Sequence, residues 1–105
     1  MTTVDLLPRT RELLDEAMPD ERNIDAKLRR LIEAEYLREL ARYRRIELAL
    51  AQKYDLSFEQ FIAQRITRQL DYSWQVEQDA MAWETAVGGL ATVKRKLKEL
   101  REVND

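Results

Sequence analysis

Glu33, Glu35, Glu77, Asp79 and Glu84 are the residues whose type suits them best to acid–base work. A catalytic carboxylate pair needs burial or crowding to drive its pKa values apart. These five sit among abundant arginines, so a solvated helix face is the expectation for them. The chain has no His and no Cys. That removes a thiol nucleophile, a Ser–His relay, a zinc-finger ligand set and a disulfide. The di-metal carboxylate pattern of helix bundles requires Glu-x-x-His on two helices and is missing for the same reason. The one glycine pair, Gly88-Gly89, lacks the surroundings of a phosphate-binding loop. The sequence therefore predicts no enzyme, no catalytic residue, no metal, no cofactor and no small-molecule substrate.

The elements that carry these residues follow from composition. The chain has 105 residues with only two Gly and two Pro, and is dominated by Ala, Leu, Glu, Arg and Gln, which cost little in a helix. An all-α fold and a single domain over 1–105 follow. Residues 1–22 are readable as a loosely attached N-terminal segment. Pro8 and Pro19 bracket a short first helix near 8–17, because proline is accepted in a first turn and ends a helix that reaches it. Asn23 can cap a second helix that runs without a breaker from Ile24 to about Tyr54. Ser57 and Gln60 have capping-box spacing ahead of the apolar stripe Phe58, Phe61, Ile62 and Ile66, which predicts a connecting helix of about 57–69. Asp71 or Ser73 can cap a last helix over about 73–101, whose final turns carry Lys94, Arg95, Lys96, Lys98 and Arg101, the charges a helix C-terminus favours.

Two helices of this length, roughly 45 Å each at 1.5 Å per residue, predict an elongated helical hairpin or bundle. No apolar run approaches the roughly 20 residues that span a bilayer, so no membrane is expected. The opening Met1-Thr2-Thr3-Val4-Asp5 lacks the basic-then-apolar layout of a signal peptide. A cytoplasmic protein is the expectation.

Formal net charge is −2, but the charge comes in blocks. Residues 1–26 hold 3 basic and 7 acidic groups, 27–54 hold 8 and 4, 55–93 hold 2 and 6, and 94–105 hold 5 and 3. Opposite blocks on antiparallel helices attract and help choose neighbours, although each exposed pair contributes only about 0 to 1 kcal/mol.

Helical periodicity gives each long helix two apolar sides. On the second helix, Leu28, Ile32, Tyr36, Tyr43, Ile46, Leu50 and Tyr54 share the expected core face. A second stripe, Ala34, Leu37, Ala41, Arg44, Leu48 and Ala51, steps by alternating threes and fours, the spacing of a coiled-coil seam. Leu37, Ala41, Arg44 and Leu48 are thus the expected homodimer seam. On the last helix, Val76, Ala80, Trp83, Val87, Leu90 and Leu97 form one stripe, continued sideways by Val93 and Leu100. Trp74 and Met81 lie far from it. Trp74 could pack locally against the connecting helix near Leu70, as the burial habits of Trp favour, or form a partner patch with Met81. The mid-helix pair Gly88-Gly89 also has two readings: a close crossing over the second helix, or a notch where partner backbone approaches.

A weak helix-turn-helix spacing runs from Ala49 to Phe61. Asp55 stands where glycine is usual, and the second helix opens Phe58-Glu59-Gln60, presenting acid where phosphates demand base. Arg38, Arg42 and Arg45, with Arg44 and Lys53, are the residues that would touch operator DNA under that alternative.

The run Lys53-Tyr54-Asp55-Leu56-Ser57-Phe58-Glu59-Gln60-Phe61, followed by Asp71-Tyr72-Ser73-Trp74-Gln75-Val76-Glu77-Gln78-Asp79-Ala80-Met81-Ala82-Trp83-Glu84 and a basic amphipathic end, resembles small helical antitoxins of prokaryotic two-gene toxin–antitoxin operons. The resemblance covers about residues 28–100. It departs at Asp55, where the family favours glycine, and at Gly88, where it favours an acidic residue. It implies a non-catalytic protein that covers its cognate toxin with a helical surface. The acidic block 71–84, with Trp74, Glu77, Met81 and Glu84, is the segment expected to contact the toxin. The alternatives are a DNA-binding autoregulator, and a purely structural module that self-associates through the Ala34-to-Ala51 seam.

Overall fold

The computed structural model describes residues 5–103, so Met1–Val4, used above in the argument about targeting, lie outside it. Five helices follow one another: α1 Pro8–Ala17, α2 Ile24–Tyr54, α3 Phe58–Ala63, α4 Ile66–Gln69 and α5 Trp74–Glu102. Among the described residues there is no strand, and no helix is long and apolar enough to cross a membrane. The chain divides into two compact units after Ala34, within α2.

In the first unit, α1 starts on Pro8, whose missing N–H would have been unsatisfied there anyway. Leu14 and Met18 are buried. The Asn23 side-chain oxygen accepts from the backbone N–H groups of Asp25, at 2.8 Å, and Ala26, at 3.4 Å, which caps α2 as expected. Lys27 is buried, with its ammonium on the Asp15 carboxylate. Ile32, placed by periodicity on the core face of α2, is 42% exposed instead.

The second unit is a helical hairpin. The Lys96 ammonium lies 5.8 Å from the centre of the Tyr36 ring, Gly89 meets Tyr43, and Asp79 meets Tyr54. Positions rising along α2 therefore meet positions falling along α5, and the two helices run antiparallel. The core gathers Leu50, Phe61, Ile66, Val76 and Trp83, with Ile46, Tyr54, Phe58 and Val87 packed against them. Trp83 is wholly enclosed, between Tyr54 stacked at 6.1 Å and the rings of Phe58 at 5.6 Å and Phe61 at 5.0 Å. Replacing a buried side chain of this size by Ala typically costs about 3–5 kcal/mol.

The segment expected as one helix over 57–69 is two. Ser57 and Gln60 form the capping box that starts α3, but Arg65 adopts a left-handed conformation, with φ 51° and ψ 49°, before α4 begins. A continuous helix would set Ile66 roughly 140° around the axis from Phe61, at 100° per residue. One left-handed residue re-aims the chain so that both side chains enter the same core. Ile62, included in the expected stripe, is left 55% exposed.

Of three further left-handed residues, Asp55, Asp71 and Tyr72, the two aspartates close helices α2 and α4. At each, the next backbone N–H reaches back five residues, from Leu56 to the Ala51 carbonyl and from Tyr72 to the Thr67 carbonyl. This satisfies orphan carbonyls in the way a C-terminal glycine usually does. Ser57 and Ser73, two residues on from each aspartate, then cap the following α3 and α5.

Candidate functional site

The five carboxylates Glu33, Glu35, Glu77, Asp79 and Glu84 are the candidates for acid–base work. Asp79 joins one cluster, which the sequence did not reveal. Its Oδ2 accepts from the Tyr54 hydroxyl at 2.5 Å and from Lys53 Nζ at 2.6 Å, and its Oδ1 accepts from Gln75 Nε2 at 3.2 Å. Burial alone would raise the Asp79 pKa. The hydrogen bonds from Lys53 and Tyr54, the Lys53 charge and the Gln75 amide outweigh it and hold the carboxyl below its ordinary value. Tyr54 goes the other way: burial, reinforced by the hydrogen bond to Asp79 and its negative charge, pushes the hydroxyl up to about 12. A carboxylate held ionised and a phenol held protonated are both far from the near-neutral pKa that general acid–base exchange requires. The cluster is a clasp between the end of α2 and the start of α5. Lys53 belongs to the basic block and Asp79 to the acidic one, so charge blocking was the signal that could have found it.

Glu33 is half-buried, and Glu35, Glu77 and Glu84 are exposed. Glu35 holds Arg38 at 2.7 Å within α2. Among the described residues no three acidic side chains come together in a metal-holding group.

The last helix supplies the more distinctive surface. Val76, Trp83, Leu90, Val93 and Leu97 are buried on one side, as the stripe predicted, and Ala86 joins them. On the opposite side Trp74 is 73% exposed and Met81 63% exposed. Trp74 therefore does not take the local core role near Leu70 that its residue type favoured, and Leu70 is itself half-exposed. The reason is register: Ser73 caps α5 through the Val76 N–H, which turns Val76 inward and leaves Trp74, two residues earlier, on the outer side. Glu77 and Glu84 are exposed on the same outer face. The four expected contact residues thus share one outward surface, two large apolar groups alternating with two carboxylates.

The glycine pair divides the two readings given to it. A Cβ added to Gly89 would lie 2.6 Å from Cε2 and Cζ of Tyr43, so this glycine permits the close crossing of α5 over α2. A Cβ added to Gly88 would meet nothing within 4 Å. Gly88 lies on the outward face, exposed and without a packing reason inside the chain.

On α2, Leu37, Ala41, Arg44 and Leu48 are all exposed, with Leu48 at 62%. These four positions form an exposed seam on α2. Beside it, a groove of about 420 Å³ between α2 and α5 has an apolar floor of Leu37, Leu40 and Leu97 and a basic rim that includes Arg44, Lys94 and Lys98. Arg38, Arg42 and Arg45 are also exposed. Arg38 is engaged by Glu35, and the Arg42 guanidinium lies 5.2 Å from the centre of the Tyr43 ring. The helix following the turn at Asp55 is only six residues long and starts with half-buried Phe58 and acidic Glu59.

The chain matches no family model, no curated protein and no solved structure.

Proposed function

We propose that this protein is a non-catalytic, antitoxin-like binding protein of the cytoplasm that captures a cognate toxin protein on the outward face of α5. The observation that carries the reading is the exposure of Trp74 and Met81 opposite the buried stripe, interleaved with Glu77 and Glu84. Large apolar side chains of these types are enriched in protein interfaces and tend to carry a large share of the binding energy. The flanking carboxylates give the face a negative field that suits a basic partner surface and speeds encounter. Of the residue pattern of 72–84 that resembles antitoxins, Trp74, Glu77 and Glu84 lie on this surface, while Val76 and Trp83 are in the core and Asp79 is in the interhelical clasp.

The test is co-expression of the tagged chain with its adjacent gene, followed by light scattering on what elutes and by growth rescue. A stoichiometric complex that restores growth is expected. Trp74→Asp and Met81→Asp should each reduce capture at least about tenfold, as loss of a buried apolar anchor does, with the helical circular dichroism unchanged. A chain that neither co-purifies with its neighbour nor rescues growth overturns the reading. The exposed Arg42 and Arg45 then direct the next assay to DNA, where replacing both with Ala should flatten the salt dependence of binding.

A further inference from the structure

Gly88 is the point of departure. It weakens the middle of a 29-residue helix, and unlike Gly89 it has no neighbour in the chain that needs the space. The outward face does not stop there. Continuing from the Trp74, Glu77, Met81 and Glu84 quartet by the same alternating steps of three and four residues, the exposed positions are Gly88, Ala91, Arg95 and Lys98. The first half of this stripe is acidic and bulky, and the second half is small and basic.

We propose that a second copy of this chain docks on this face, with its α5 antiparallel to the first. The two-fold arrangement sets Glu77 against Arg95 of the second copy and Trp74 against Lys98 of the second copy, an ion pair and a cation over an indole ring. It sets Met81 against Ala91 of the second copy and Glu84 against Gly88 of the second copy, each a large side chain facing a small one. Every pairing occurs twice by symmetry, and no like charges oppose one another within these pairs. The α2 seam is a poorer seat for a second copy. Parallel pairing there opposes Arg44 to itself, and antiparallel pairing brings Arg38 beside Arg45 of the other chain. On the proposed function, the dimer keeps the partner-binding face covered until the partner displaces the second copy, and this consequence alone rests on that reading.

The experiment is sedimentation equilibrium on the full chain by itself, from micromolar to millimolar concentration. A reversible dimer is expected. Glu77→Lys and Arg95→Glu, both at exposed positions, should each weaken it at least about tenfold, because each turns two attractions into two repulsions. The double variant E77K/R95E should restore it. Register is read by cross-linking, since the chain has no cysteine of its own. Met81→Cys mixed with Ala91→Cys should oxidise to a mixed disulfide dimer, and Met81→Cys alone should not cross-link. A chain monomeric throughout, a double variant no tighter than the singles, or self-cross-linking of Met81→Cys overturns the proposal. Failure of dimerisation with an intact toxin complex would remove this inference alone, and a dimer without any complex would remove only the proposed function.

Discussion

Replacing the two adjacent glycines of α5 by alanine, one at a time, should move stability in different directions. Each substitution gains about 1 kcal/mol of helix propensity. At Gly88 nothing offsets that gain, since the added methyl enters open space. At Gly89 the methyl carbon would lie 2.6 Å from two Tyr43 ring carbons and 2.8 Å from a third, where relaxed carbon contacts need about 3.5–4.0 Å. The ring must retreat by about 1 Å, and such overpacking costs about 1–3 kcal/mol. The net change at Gly89 therefore runs from about zero to a loss of about 2 kcal/mol. The two variants should differ by about 1–3 kcal/mol, which for a domain of this size separates their Tm values by about 4 °C or more. Thermal and urea melts followed by far-UV circular dichroism, at low micromolar concentration so that self-association does not contribute, read the difference. In a Tyr43→Ala background the penalty should vanish, and Gly89→Ala should gain as much as Gly88→Ala. Equal stabilisation by both alanines in the natural background would refute the close crossing.

The Asp79 clasp predicts a pH signature at both ends. Tyr54 has its pKa raised from 10.0 to about 12, so its contribution is complete below about pH 10 and drains away as pH rises towards 12. It amounts to at most about 2–3 kcal/mol by linkage, and Tyr54→Phe should lack that alkaline loss in a pH-resolved urea titration. Asp79 is shifted downward, so its contribution is present above its unfolded value of 3.8 and falls away as the solution is acidified below it; Asp79→Asn should lose this acid limb. At the α2 terminus, Asp55 is left-handed, with φ 53°. Asp55→Gly should stabilise by about 0.5 kcal/mol or more and Asp55→Ala should destabilise by about 1 kcal/mol, an order that chemical melts would reverse if the turn were relaxed.

Helix ends were legible wherever a side chain announces them chemically. Pro8, Asn23, Ser57 and Ser73 start their helices because each either lacks a donor or supplies an acceptor to the first turn, and both properties are local. The break at Arg65 was not legible, because arginine carries no preference for a left-handed conformation. Only the demand that Phe61 and Ile66 share a core imposes it, and that demand is tertiary. The exposure of Ile32 and Ile62 has the same origin: periodicity ranks the sides of a helix but does not say how wide a strip its neighbour covers. The two aspartate turns left a faint trace, an Asp-x-Ser triplet at 55–57 and again at 71–73, in which the aspartate ends one helix and the serine starts the next. For the candidate site, the outward placement of Met81 with Glu77 and Glu84 could be read from helical angles. Trp74 could not, since its residue type argued for burial and only the register set by the Ser73 cap decided otherwise. The Tyr54–Asp79 clasp needed the antiparallel pairing of α2 with α5 before its partners could be matched.

The two tryptophans of α5 also make the molecule its own optical instrument. Trp83, sealed among three rings with its indole N–H unpaired, sits in a dry, apolar solvent cage and should emit at short wavelength, shielded from iodide. Trp74, in water, should emit at long wavelength and quench freely. One fluorophore therefore reports whether the core is intact while the other reports whether the outer face is covered, so an emission spectrum taken with a quencher present separates unfolding from docking without any label.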